Sequence, residues 1–166
     1  MIWLRTNKLS LNVEKTHFML FCSRGKQISN DVKIFIDNTE ISQVTTTKFL
    51  GVIIDNKLDW KYHIDHICNK VSKNIGIILK ARKVFDKSTL IALYYSMIYP
   101  YLTYCIQIWG ATYNKYIDKL FLLQKKIIRI ICGVPRLTHT EPLFIENNIM
   151  KVDDLYVYNV TFLCTN

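Results

Sequence analysis

Lys48-Phe49-Leu50-Gly51-Val52-Ile53-Ile54-Asp55, followed closely by Leu58-Asp59-Trp60 and His63-Ile64, divides the chain into two architectures. Before it, short apolar runs stop at turn residues and read as strands. After it, apolar residues recur at helical spacing over long stretches. Phe49 to Ile54 reads as a buried strand, and Gly51 marks a bulge or a close approach to the backbone. The pattern predicts an α+β protein: a small antiparallel β block followed by a mainly α-helical bundle.

Toward the amino end, Trp3 to Leu9 has the spacing of the tail of an amphipathic helix, too short to be stable alone, so the chain is expected to start within an element. Asn7 to Asn12 reads as a turn into an extended segment. His17 to Cys22 reads as a strand ended by Ser23-Arg24-Gly25-Lys26, and Val32 to Ile36 with Asp37 to Ile41 as a β-hairpin.

Beyond Asp59, Ile64, Ile67, Val71, Ile75, Ile78 and Leu79 define one face of a helix, with Lys70, Lys73 and Lys80 on the other side. Ser88 is the expected cap of a second helix, which Pro100 interrupts and whose continuation ends near Gly110. Asn114 is the expected cap of a third. Its stripe is Ile117, Leu120, Phe121, Gln124, Ile127, Ile128 and Ile131, its stop is Gly133-Val134-Pro135, and Lys115, Lys119, Lys126 and Arg129 lie opposite the stripe. Thr140 should cap a short helix with Pro142 in its first turn, and a last helix should begin near Asp153 or Asp154 and run into Asn166.

The chain has 166 residues, half of them hydrophobic, enough for a real core in one domain or two small ones. Its 22 Lys and Arg against 13 Asp and Glu leave a formal charge of +9, which favours an anionic partner: nucleic acid or an anionic membrane surface. Five widely spaced cysteines without a Cys-x-x-Cys pair indicate neither a disulfide framework nor a zinc ribbon, and point to a reducing intracellular setting, cytoplasmic or nuclear. The first residues do not resemble a signal peptide. Leu90 to Tyr113 carries no charge and is long enough to span a bilayer, but six tyrosines and Pro100 are spread through it, so a broken buried helix is the better expectation and no membrane partner is expected.

Lysines opposite an apolar stripe suit docking on a phosphate backbone, although lysine on a solvated face is also the ordinary way to keep a helix soluble. His63, His66 and Cys68 tempt a metal reading, but Cys68 turns away from the histidine face and no fourth ligand is near, so a pair of surface histidines is expected and no metal site. Asp37, Asp55 and Asp153-Asp154 form no recognisable carboxylate pair, and no phosphate loop, serine nucleophile elbow or zincin motif occurs. Read from the residues alone, no catalytic constellation is complete.

The hinge and its flanks resemble the reverse transcriptase of non-LTR retrotransposons, in particular the Jockey-like mobile elements. The residues that carry the resemblance are, in order, Trp3-Leu4, Asn7 to Thr16, Phe21, Lys48 to Val52, Asp55, Leu58-Asp59-Trp60, His63-Ile64, Leu93-Tyr94, Pro100-Tyr101-Leu102, Tyr104, Trp109-Gly110, Gln124-Lys125-Lys126, Arg129-Ile130-Ile131, His139-Thr140 and Pro142-Leu143-Phe144.

The resemblance implies the last part of a polymerase palm at 1–57, a helical thumb at 58–137 and the start of a carboxy-terminal connector at 138–166. It implies that the aspartates holding two Mg2+ ions for phosphoryl transfer belong to motifs that precede Trp3, with the rest of the palm and the fingers, so the chain would be a fragment inactive alone and binding no cofactor itself. Lys15 would lie near the incoming triphosphate. Phe49, Leu50 and Gly51 would form the primer grip, Gly51 admitting the primer backbone while Phe49 and Leu50 anchor the hairpin. Lys70, Lys73, Lys80, Lys115, Lys119, Lys126 and Arg129 would follow the duplex of RNA template and DNA primer. A palm so incomplete should leave an open strand edge and apolar surface at Phe18, Phe21 and the hinge. The competing expectations are a non-enzymatic nucleic-acid-binding module and a membrane-associated protein using residues 90–113.

Overall fold

Short strands and long helices segregate along the chain as the change of period requires. The computed structural model describes residues 2–23, 25, 32–36 and 38–164. They form two units, Met1–Asp59 and Trp60–Asn166.

In the first unit a five-residue helix α1 (Ile2–Thr6) ends where the Asn7 side-chain amide donates to the Trp3 carbonyl at 2.8 Å. A three-residue 3-10 turn over Val13–Lys15 leads into β1 (His17–Phe18). β2 (Ile34–Ile36) and β3 (Thr39–Gln43) pair antiparallel, with Ile34 opposite Ile41 and Ile36 opposite Thr39, which is the expected hairpin. β1 joins the other edge of β3 in parallel, giving the order β1-β3-β2. This one parallel pairing departs from an all-antiparallel block.

The strand expected over His17 to Cys22 stops at Phe18, whose carbonyl accepts from Val44 N–H at 2.9 Å; Cys22 N–H instead donates to the Asn56 carbonyl at 3.1 Å. Arg24 and Lys26 of the expected turn, and Asp37 of the expected hairpin, lie outside the described residues.

The opening stretch is a hairpin and not the single buried strand its apolar run suggests. β4 (Thr46–Phe49) and β5 (Val52–Asp55) pair antiparallel, with Thr46 opposite Asp55 and Phe49 opposite Val52. Leu50 (φ 45°) and Gly51 (φ 87°) make the two-residue loop, both left-handed, as the twist of a tight hairpin demands. Glycine adopts that conformation freely, whereas leucine there costs about 1 kcal/mol. Val52 and Asp55 are buried, and Asp55 Oδ1 accepts from Lys57 N–H at 3.1 Å and Asp59 N–H at 3.0 Å, fixing the bend that follows β5.

The second unit starts with α2 (Lys61–Ala81), which buries His63, Ile64, Ile67, Val71, Ile75 and Ile78. Two expectations fail on this helix. Leu79 is exposed, because one residue past Ile78 the helix has turned a further 100° or so. His63 is buried at 3 % exposure, on the core side beside Ile64, with its ring 5.7 Å from Trp109 edge-on.

α3 (Lys87–Met97) is capped by Asp86 and not by Ser88: the carboxylate accepts from Thr89 N–H at 3.1 Å and from the Ser88 hydroxyl at 2.7 Å, and these bonds lower its pKa to about 2. Pro100 falls in the first turn of α4 (Tyr99–Thr103), and α5 (Ile106–Trp109) ends at Gly110. Thus 90–113 is three helices whose Leu90, Tyr94, Ile98, Leu102, Ile106 and Trp109 all enter the core. Among the described residues no helix is long and apolar enough to cross a membrane.

α6 (Asn114–Cys132) begins one residue earlier than a cap at Asn114 would allow, with Tyr113 in the cap position. It ends at Gly133 (φ 72°), where Val134 N–H donates to the Arg129 carbonyl at 3.2 Å. Thr140 takes the cap position of α7 (Glu141–Glu146), its carbonyl accepting from Phe144 N–H at 3.1 Å, and α8 (Val152–Cys164) closes the unit. Leu143, Phe144, Ile149, Val152 and Leu155 belong to the same core as α2 to α6, so the residues after 138 pack into the helical unit.

α2 and α6 run parallel. Near their starts Lys119 Nζ lies 2.6 Å from Asp65 Oδ1, and at their ends the Arg82 guanidinium lies against Gly133, where an added Cβ would sit 3.2 Å from Nη2.

Candidate nucleic-acid interface

In the first unit the candidates are Lys15 and the β4–β5 loop. Asn12 shapes the approach to Lys15: its Oδ1 accepts from Lys15 N–H at 3.1 Å and its carbonyl from the Thr16 hydroxyl at 2.8 Å. The Lys15 backbone is thereby fixed and its side chain is exposed. At the loop, Phe49 and Leu50 are 62 % and 75 % exposed, so they do not anchor the hairpin in this chain; Val52 and Asp55 do. With Phe21 also exposed and Phe18 half-buried, the unit presents the apolar surface expected of it at Phe21 and the hinge.

In the second unit the lysines sort by their partners. Lys73 and Lys80 are exposed and seven residues apart on the outer side of α2, with Lys70 exposed off to one flank. Lys115, Lys119 and Lys126, at four- and seven-residue steps, share a line along α6. Lys126 is exposed on that line. Lys115 sits 4.8 Å from the Tyr116 ring centre and 5.5 Å from that of Tyr113, which leaves its charge toward solvent.

Two of the seven cations expected at the duplex are engaged within the fold. Lys119 is bound to Asp65, whose hydrogen bond raises the pKa of its ammonium above the usual lysine value while offsetting its charge. Arg129 donates from Nε to the Thr138 carbonyl at 2.9 Å and from Nη1 to the Lys125 carbonyl at 3.5 Å, tying α6 to the turn that follows it. The separation of Lys119 from Asp65 by 54 residues explains why sequence spacing could not foresee the pair.

Burial also shapes the side chains that tempt a metal reading. Burial, followed by His66, lowers the pKa of His63 to about 4, and burial pushes the Cys68 thiol up to about 11. Among the described residues no three His, Cys, Asp or Glu side chains form a group able to hold a metal ion.

A cleft of about 470 Å3 between α5, α6 and α8 brings Asp118 and Asp153 to one wall. Burial raises the pKa of Asp153, with Asp154 and Asp118 adding to the shift. Its charge is of the wrong sign for a phosphate backbone.

The chain is similar to the probable RNA-directed DNA polymerase from transposon X-element of Drosophila melanogaster, 23 % identical over 134 residues that make up 79 % of this chain and 14 % of the relative. It is 27 % identical over 124 residues to the RNA-directed DNA polymerase from mobile element jockey of Drosophila funebris, covering 73 % of this chain and 14 % of the relative. The jockey polymerase of Drosophila melanogaster is 24 % identical over 156 residues, covering 92 % and 17 %. The chain therefore spans about one-sixth or less of these relatives' length, and it is a partial homologue of the reverse transcriptases of non-LTR retrotransposons. No protein-family model matches it, and no solved structure does.

Proposed function

We propose that this chain supplies part of the template–primer-binding surface of an RNA-directed DNA polymerase from a non-LTR mobile element. The observation that carries the reading is the partial homology, which runs through both units and covers up to 92 % of the chain. In this reading the β4–β5 hairpin is the primer grip: its left-handed Leu50-Gly51 loop is thin enough for a sugar–phosphate backbone to approach, and exposed Phe49 and Leu50 offer apolar contact to it. Lys15 stands near the incoming triphosphate.

The helical unit is the thumb, and Lys70, Lys73, Lys80, Lys115 and Lys126 meet the phosphates of the template–primer duplex. Lys119 and Arg129, which bond to Asp65 and to the Thr138 carbonyl, are the less available of the seven for that role. Catalysis falls to metal-binding aspartates in the part of the palm outside this chain. The five free thiols suit a reducing cytoplasmic or nuclear setting.

The test is the affinity of the full chain for a labelled DNA primer annealed to an RNA template, measured across a salt series. Reversing Lys73, Lys80 and Lys126 to Glu should weaken binding by at least about tenfold and flatten the salt dependence by roughly one unit of slope for each lysine reversed. Unchanged affinity in that triple variant would overturn the thumb assignment. Nucleotide incorporation by the chain alone, abolished by chelation, would overturn its dependence on carboxylates elsewhere.

A further inference from the structure

We infer that the end of the helical unit where α2 and α6 finish docks on an anionic lipid surface. The inference does not depend on the polymerase reading. Two tight turns meet there, joined by the Arg82 guanidinium lying against the Gly133 turn. In the first, Lys83 N–H donates to the Lys80 carbonyl at 3.2 Å, and Val84 and Phe85 N–H both donate to the Ala81 carbonyl at 2.9 Å. In the second, Thr138 N–H donates to the Pro135 carbonyl at 3.1 Å while Arg129 Nε holds the Thr138 carbonyl, which leaves Arg136 and Leu137 at the apex.

Both turns are held by their own backbone bonds, and both present aliphatic side chains outward. Leu137 is 91 % exposed and Val84 80 %, the highest values among the exposed large apolar residues described, and Phe85 beside Val84 is 52 % exposed. Cations surround them: Lys80, Arg82, Lys83 and Lys87 around the first turn, Arg136 around the second, with His139 next to it. Asp86 is the one carboxylate in residues 80–87, and it is bonded to Ser88 and Thr89 as the cap of α3.

An aliphatic apex ringed by cations matches the two layers of an anionic bilayer interface, with hydrocarbon for Val84 and Leu137 and headgroups for the lysines and arginines. Single-stranded nucleic acid would satisfy the cations but rewards flat aromatic rings on which bases stack; the two most exposed side chains here have none. The mode is peripheral, since no described helix can span a membrane.

The experiment is co-sedimentation of the full chain with vesicles of phosphatidylcholine, alone or with about a third phosphatidylserine, against a vesicle-free control for self-association. Binding is expected only with phosphatidylserine. It should fall at least about tenfold both in Val84→Ser/Leu137→Ser and in Lys83→Glu/Arg136→Glu, with circular dichroism unchanged because none of the four side chains is buried. Absence of vesicle binding, or binding that survives both variants, would overturn the inference. So would loss of affinity for a single-stranded oligonucleotide in the serine variant without vesicle binding by the parent, which would make the tip a nucleic-acid surface.

Discussion

Gln124 on α6 donates its side-chain amide to the Tyr94 hydroxyl on α3 at 2.9 Å, and from this buried pair the polar connections of the helical core extend. The same amide donates to the Met150 carbonyl at 2.8 Å, and Oε1 accepts from Val152 N–H at 3.0 Å. One side chain thereby fixes the start of α8 against α6 and α3. Gln124→Ala removes the partners of three groups at once, in two buried bonds and one part-buried bond, and should cost about 2–4 kcal/mol, whereas Tyr94→Phe, which leaves the amide its Met150 partner, should cost about 1 kcal/mol. Denaturant unfolding of the full chain measures both.

Tyr94 gives that core an alkaline limit. Burial raises its pKa well above the ordinary value of 10.0. The folded state therefore keeps the proton that the unfolded chain releases near pH 10, so stability is full below pH 10 and falls as pH rises beyond it. In Tyr94→Phe this part of the alkaline loss should vanish, which unfolding midpoints at pH 9 and above would show.

His63 sets the acid limit by the opposite sign. With its pKa lowered from 6.5 to about 4, the folded state resists a proton that the unfolded chain accepts. Stability is full above pH 6.5 and declines below it, by about 2 kcal/mol between pH 7 and pH 5. His63→Phe should flatten the unfolding midpoint over that range; an acid limb unchanged by the substitution would refute the assignment to His63.

At the hairpin, Leu50→Asn should raise stability by about 0.5 kcal/mol, since asparagine tolerates the left-handed conformation that leucine holds at a cost. Gly51→Val should lower it by about 1–3 kcal/mol, because a β-branched side chain is strained at φ 87°. Hydrogen exchange at the β4–β5 amides reads the change locally.

Much of this arrangement was legible in the sequence. The stripe of Ile64, Ile67, Val71, Ile75 and Ile78 is buried as its spacing requires, and so is that of Ile117, Leu120, Ile127, Ile128 and Ile131, because amphipathic period is a local property of the chain. Caps were less legible: Asp86 and Ser88 both suit the role, and only the hydrogen bonds show which takes it. Phe49 to Ile54 misled because apolar content does not reveal a reversal of direction; the signal for the turn was Gly51 alone. For the interface, exposure of Lys73, Lys80 and Lys126 followed from helical phase. The pairing of Lys119 with Asp65 and of Arg129 with Thr138 is tertiary and leaves no mark in spacing.

Gly110 and Gly133 answer to different physical demands. Gly133 sits at φ 72°, so its constraint is angular, and asparagine is the substitute of choice once Arg82 yields a few tenths of an ångström. Gly110 has an ordinary helical φ of −68°, but a Cβ there would lie 2.4 Å from Tyr156 Cδ2 and 2.6 Å from the Ile106 carbonyl oxygen. Its constraint is volumetric, and alanine, usually the mildest replacement in a helix, is already too large. A substitution library at the two sites would return different tolerance profiles, and at Gly110 even a smaller residue at 156 should rescue little, since it relieves the Tyr156 clash and leaves the one with the Ile106 backbone carbonyl.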